Sequence, residues 1–163
     1  MPLCCSAIRA CAKGKQTSRA LALLQVVKDK GLTLDAYCYT AAIEACEWKQ
    51  ALKLLDEMQE KGIEPSEVTM SVAIKACGVG GQWQRALDLL STMRERKMPL
   101  NLYVYNAAIT AIARAAKQMS KSGESEGSLF LEIQDLLDQM RADDIEPDGF
   151  SFSSAISCCG AEG

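Results

Sequence analysis

Histidine is missing from all 163 residues. Its absence removes every nucleophile or acid–base device built on an imidazole, and most zinc layouts with it. No C-x-x-C pair offers metal ligands in its place, and no glycine-rich loop is shaped to cradle phosphate. Aromatic residues make up only 6% of the chain, so the core must be aliphatic, sulfur-rich and alanine-rich. No apolar run reaches the roughly 18 residues that a membrane span needs. The opening MPLCCSAIRACAKGK has neither the layout of a secretory signal nor that of a long Arg/Ser-rich transit segment. A targeting segment is therefore not visible: either the mature chain starts here or that piece lies outside this sequence. These absences predict a chain with no enzymatic activity, no metal, no cofactor, no small-molecule substrate and no membrane span.

Apolar residues are nevertheless 48% of the chain, enough to bury the core of one domain of ordinary size. Eight cysteines sit mostly within apolar helical patterns, and are read as buried thiols in a reducing compartment. The net charge of −3 conceals an asymmetry. Residues 1–121 hold 17 Lys/Arg against 11 Asp/Glu, whereas residues 122–163 hold one Arg against 10 acids. The acidity belongs to one end, and the rest is mildly basic.

Four markers recur in one order. An isoleucine returns as Ile8, Ile43, Ile74, Ile109 and Ile156. An Ala-Leu-x-Leu-Leu block appears at 20–24, 51–55 and 86–90, followed by Val27, Met58 and Met93, with Met140 in the last copy. An exit segment closes each copy: GLTLD (31–35), GIEPS (62–66), KMPLN (97–101) and DIEPD (144–148). One underlying period of about 35 residues means an internal repeat.

Each copy reads as two helices. The first carries stripes spaced four then three, such as Tyr39, Ile43, Cys46 and Phe152, Ile156, Cys159; the second repeats the rhythm in Leu52, Leu55, Met58. A lone helical hairpin cannot bury both stripes, so copies must stack. The prediction is an all-α, right-handed α-solenoid of helix-turn-helix repeats with about nine helices. Its repeats are 1–35, 36–66, 67–101 and 102–148, with a partial fifth at 149–163, in a single array over 1–163. Two irregularities stand out. Only Glu47 separates Cys46 from Trp48, which predicts a late start for the second helix or a missing piece. The segment around SKSGESEGS predicts a flexible insertion near 117–128.

The period and the pattern Y-x-x-A-I…A-L-x-L-L-x-x-M-x-x-x-G-I-x-P-[DS] resemble the pentatricopeptide repeat family. The best matches are YTAAIEAC…ALKLLDEMQEKGIEPS (39–66) and MSVAIKACGVGGQWQRALDLLSTMRERKMPLN (70–101). The related tetratricopeptide repeat fits less well, because its W-x-x-L-G-x-x-Y block is absent. The resemblance implies that first helices line a concave surface and that each repeat addresses one RNA base. Two side chains read it, the fifth residue of the repeat and the last. Carried over, the pairs are Cys5 with Asp35, Thr40 with Ser66, Ser71 with Asn101, and Asn106 with Asp148; Ser153 begins an incomplete fifth. By resemblance Asn with Asp favours uracil and Ser with Asn favours adenine. Thr with Ser and Cys with Asp depart from the productive combinations. Base-sandwiching falls to the second residue of the repeat: Pro2, Tyr37, Val68, Tyr103 and Phe150. Tyr37, Tyr103 and Phe150 could instead pack the helix starts. Lys13 and Arg114 match the place for phosphate contact; Val79 does not.

Two partners follow. One is single-stranded RNA, an organellar transcript, which would make the chain a non-catalytic part of RNA metabolism in a chloroplast or mitochondrion. The other is a protein partner covering the C-terminal helix, with the chain as a scaffold subunit of a large organellar assembly such as a ribosome or photosynthetic complex.

Overall fold

The computed structural model describes residues 2–14, 16–31, 34–120 and 127–159, with side chains at 6–11, 14, 16–31, 34–119 and 129–158. Among the described residues there are nine α-helices and no strand: α1 (Pro2–Lys13), α2 (Thr17–Asp29), α3 (Ala36–Ala45), α4 (Trp48–Glu60), α5 (Glu67–Val79), α6 (Trp83–Glu95), α7 (Leu102–Ser120), α8 (Gly127–Ala142) and α9 (Gly149–Cys159). They fall into two compact units, residues 1–76 and 77–163, with the boundary inside α5. No helix among the described residues is long and apolar enough to cross a membrane.

In the first unit α1 packs on α2 and on α3, and α3 packs on α4. First helices therefore meet both their own second helix and the next first helix, which is how stacked hairpins close a core. α3 is buried nearly all round through Cys38, Tyr39, Ala41, Ala42, Ile43 and Ala45; its alanines let neighbours approach closely. α4 buries one face, Ala51, Leu54, Leu55 and Met58. In the second unit α7 packs on α6, α8 and α9. Tyr105, Ile109 and Ile112 of α7 and Ile133 and Met140 of α8 are fully buried. Gly78, on the last turn of α5, belongs to this unit. A Cβ there would stand 2.9 Å from the Ala107 carbonyl oxygen, so only glycine permits that approach to α7.

The exit marker is a helix terminator. Gly31, Gly62, Lys97 and Asp144 take φ of 64°, 72°, 53° and 57°. After them, Ile63 N–H donates to Met58 O (3.0 Å), Met98 N–H to Met93 O (2.9 Å) and Ile145 N–H to Met140 O (2.8 Å). These six-to-one bonds, each with a shorter five-to-two bond inside it, satisfy the orphan carbonyls at the helix end. The methionine and the apolar residue five positions on recur together because that geometry places them at one turn.

The structure corrects three expectations. After α3 the second helix does not start late: α3 stops early, at Ala45, and Cys46 and Glu47 turn the chain in extended conformations. Thr17 Oγ1, at the start of α2, donates to the Ala45 carbonyl at 2.7 Å, which stabilises the early stop. Residues 117–120 belong to α7 rather than to a loop, because Ala115 and Ala116 are buried and carry the helix one turn further; residues 121–126 lie outside the described residues. On α9 the buried face is Ser151, Ala155 and Cys158, while Phe152 and Ile156 are exposed. The stripe Phe152, Ile156, Cys159 is the one that a protein partner is expected to cover: no further helix of the described residues packs on it, and the Cys159 side chain lies outside those described. Finally, not all cysteines are thiols: Cys38 is disulfide-bonded, whereas Cys11, Cys46, Cys77 and Cys158 are thiols.

Candidate functional site

Each exit segment ends by capping the next first helix. The last residue of every repeat accepts a hydrogen bond from the backbone N–H three positions on: Asp35 from Cys38 (2.8 Å), Ser66 from Thr69 (3.3 Å), Asn101 from Val104 (3.0 Å) and Asp148 from Ser151 (2.9 Å). Asp, Ser and Asn are the residues that cap well. One acceptor site on each of these four residues is thus committed to starting a helix.

In the first unit Thr40, Ser66, Tyr37 and Val68 line a cavity of about 490 Å³, with Arg9 and Glu44 on its wall. Thr40 lies on α3 one turn after Tyr37; Ser66 and Val68 flank the start of α5. Tyr37 and Val68 are 48% and 61% exposed, so neither is packed away into a helix start. Arg9 stacks over the Tyr37 ring, its guanidinium carbon 5.6 Å from the centroid, and hydrogen-bonds the Tyr37 hydroxyl. Sequence reasoning chose Lys13 for phosphate contact and missed Arg9; Lys13 lies outside the described side chains. The signal available was spacing: Arg9 stands one helical turn before Lys13.

In the second unit Asn106 Nδ2 donates to Asp148 Oδ1 at 3.3 Å, which brings that reading pair together. Backbone and side-chain hydrogen bonds from Ser151 hold the Asp148 carboxyl below the usual carboxylate range. Tyr103 and Phe150, 50% and 54% exposed, stand at the starts of α7 and α9. Ser153 is exposed and its carbonyl accepts from Ser157. Arg114 donates to Val79 O at 3.0 Å, closing the C-terminal end of α5; part of its guanidinium is therefore structural. Ser71 is buried and gives its proton to Glu67 O at 2.8 Å, and Asn101 lies in the other unit. Pro2 and Cys5 lie outside the described side chains.

A second set of polar clusters serves packing. Glu57 accepts from Lys28 (2.7 Å), Lys61 (2.8 Å) and Tyr39 (3.0 Å), joining α2, α3 and α4. Burial alone would raise the Glu57 carboxyl, but these three donors outweigh it and hold it down at about 2. Around Tyr105 the same plan recurs: Arg94 of α6 donates to its hydroxyl at 2.7 Å and to Asp143 at 2.8 Å, and the hydroxyl donates to Asp143.

Comparison with known proteins fits this geometry. Residues 4–129 match the family model described as the pentacotripeptide-repeat region of PRORP. Over 83 residues the chain is 31% identical to the Zea mays pentatricopeptide repeat-containing protein 10, chloroplastic; this aligned part is 51% of the chain and 9% of that protein. The fold is similar to that of pentatricopeptide repeat protein 10 in complex with an 18-nt psaJ RNA element (TM-score 0.73, 19% identity, 98% of this chain and 23% of that one). It is similar too to the PPR domain of Arabidopsis thaliana protein-only RNase P 1 in complex with tRNA (TM-score 0.78, 14% identity, 95% and 78%). A third likeness is to the A. thaliana nuclear proteinaceous RNase P 2 (TM-score 0.77, 15% identity, 99% and 35%). The chain thus spans only a small part of the maize relative's length.

Proposed function

This chain belongs to the pentatricopeptide repeat family, and from that premise we propose that it binds single-stranded RNA without catalysing a reaction, in the RNA metabolism of a chloroplast or mitochondrion. The observation that supports the reading is the cavity of the first unit. Two small polar side chains, Thr40 and Ser66, line it together with the exposed Tyr37 and Val68 and the Arg9 cation. Such a site offers a base an aromatic face, an edge to hydrogen-bond and a charge for phosphate. Asn106 with Asp148, beside exposed Tyr103 and Phe150, repeats the plan. The RNA partners named for the protein 10 and RNase P 1 complexes agree with it. Two such pairs read few bases, so selectivity for one transcript needs further repeats.

The test is fluorescence anisotropy with labelled single-stranded octamers, and with the same RNA as duplex. The chain should bind the single strand, and Tyr37→Ala should weaken binding by about 1–3 kcal/mol. Equal, weak binding to single strand and duplex, insensitive to Tyr37, would end this reading. A second reading, a scaffold gripping a protein segment, draws on Phe152 and Ile156 exposed together on α9. It predicts that Ile156→Glu abolishes co-purification of a partner while leaving RNA affinity unchanged.

A further inference from the structure

We infer that Thr69 is a positioning residue that fixes the hydrogen-bond polarity of the Thr40–Ser66 pair and makes the second repeat selective for guanine; the inference rests on the RNA-binding reading above. The pair departs from the family's productive combinations, so the resemblance assigns it no base. The structure supplies what the pair alone lacks. Thr69 is fully buried on the first turn of α5, the third residue of the following repeat. Its Oγ1 lies 2.6 Å from Thr40 Oγ1 and 3.0 Å from Ser66 Oγ. It bridges the two readers from beneath.

Three hydroxyls carry three protons, which we assign from the contacts. Thr40 gives its proton to the Ala36 carbonyl at 2.7 Å. The short contact between Thr40 and Thr69 then requires Thr69 to donate. With that proton spent, the contact between Ser66 and Thr69 requires Ser66 to donate. Ser66 meanwhile accepts from the Thr69 N–H at 3.3 Å. Every hydroxyl proton in the cluster is turned inward. What Thr40 and Ser66 present to the cavity is lone pairs only. Guanine is the base whose Watson–Crick edge carries two adjacent donors, N1–H and N2–H₂. The other three bases each place an acceptor beside their donor and would leave one oxygen facing another.

The arrangement is not an accident of one repeat. In the second unit Ser151, also fully buried and also third in its repeat, lies 2.5 Å from Asn106 Oδ1 and 2.9 Å from Asp148 Oδ1. A carboxylate only accepts, so the Asn106 atom facing Asp148 is Nδ2, and Ser151 holds the Oδ1 side. The remaining Nδ2–H is then free to donate outward. A buried third-position hydroxyl thus sets opposite polarities in the two units, acceptors at Thr40–Ser66 and a donor at Asn106.

The experiment uses uridine octamers carrying one G, A or C at each position in turn, titrated into the whole chain, Thr69→Val and Thr69→Ser. The wild-type chain should prefer G at one position by about threefold to tenfold, the worth of one net hydrogen bond. Thr69→Val frees the Ser66 proton to point outward and should abolish the G preference while leaving affinity for oligouridine within twofold. Thr69→Ser keeps the hydroxyl and should keep the preference. If Thr69→Val does not fold, Thr69→Ala serves in its place, with circular dichroism as the control for each. RNA binding with no G preference, or with one that survives loss of the hydroxyl, overturns the role of Thr69 alone. No binding of any octamer by the wild type overturns the role of Thr69 together with the RNA-binding reading.

Discussion

At the scale of single residues, Glu57 and Tyr105 show how helices in one unit are locked in register. Glu57 has its carboxyl held at about 2, below its ordinary value of 4.5, by Lys28, Lys61 and Tyr39 acting against partial burial. A depressed carboxyl stabilises the fold above its unfolded pKa, and that stability drains away as pH falls from about 4.5 towards 2. Glu57→Gln should therefore lower the melting temperature near neutral pH and flatten its fall between pH 5 and 2, measured by thermal melts across that range. Tyr105 is fully buried yet its hydroxyl has two partners, Arg94 and Asp143. Tyr105→Phe keeps the ring and removes both bonds, and should cost about 1–2 kcal/mol in chemical denaturation. Burial pushes Cys77 up to about 11, so little thiolate exists at pH 8. Cys77 should resist iodoacetamide in the folded chain and label only on unfolding, as read by mass spectrometry.

At the scale of elements, the repeat was legible because each helix boundary has a local cause. The Gly-Ile or Lys-Met at an exit marks a left-handed residue followed by an apolar one, and the Ser, Asn or Asp that closes the exit is a helix cap. Lys97 and Asp144 adopt the backbone that Gly31 and Gly62 adopt in other copies. For them the side chain is a strain of about 1–2 kcal/mol, against an unfolded-state entropy cost of about 0.4–1 kcal/mol for glycine. Lys97→Gly should consequently stabilise the chain by about 0.5–1 kcal/mol in urea unfolding. What the period could not convey was length. The early stop of α3 depends on Thr17 reaching Ala45 from a helix 28 residues away, and the added turn of α7 depends on Ala115 and Ala116 finding a buried place. On α9, Phe152 and Ile156 repeat the letters of a core face yet stay exposed, because no following helix of the described residues packs against them.

At the scale of the whole molecule, the candidate pairs were proposed by position, whereas the residues packed around them were not legible. Thr40, Ser66, Asn106 and Asp148 follow from counting along the repeat. Thr69 and Ser151 look like ordinary polar residues of a first turn until two helices close over them. Arg9 was passed over because it precedes the usual place for phosphate contact, and only the packing of α1 on α3 brings it to Tyr37. Charge along the sequence supplies the frame: residues 1–121 carry a net +6 and residues 122–163 a net −9. Nucleic acid should therefore be held mainly by electrostatics over the first part, where neutralising one single-strand phosphate contributes about 0.7 to the slope of log affinity against log salt. If Arg9 takes a phosphate beside the Tyr37 face, Arg9→Ala should weaken binding to all octamers alike and reduce that slope by about 0.7. Base preference should be unchanged, because the guanidinium carries no proton pattern to the Watson–Crick edge. Titrations of both proteins from 50 to 200 mM salt separate the roles: an unchanged slope would confine Arg9 to ordering Tyr37, whereas a changed base preference would place it among the readers.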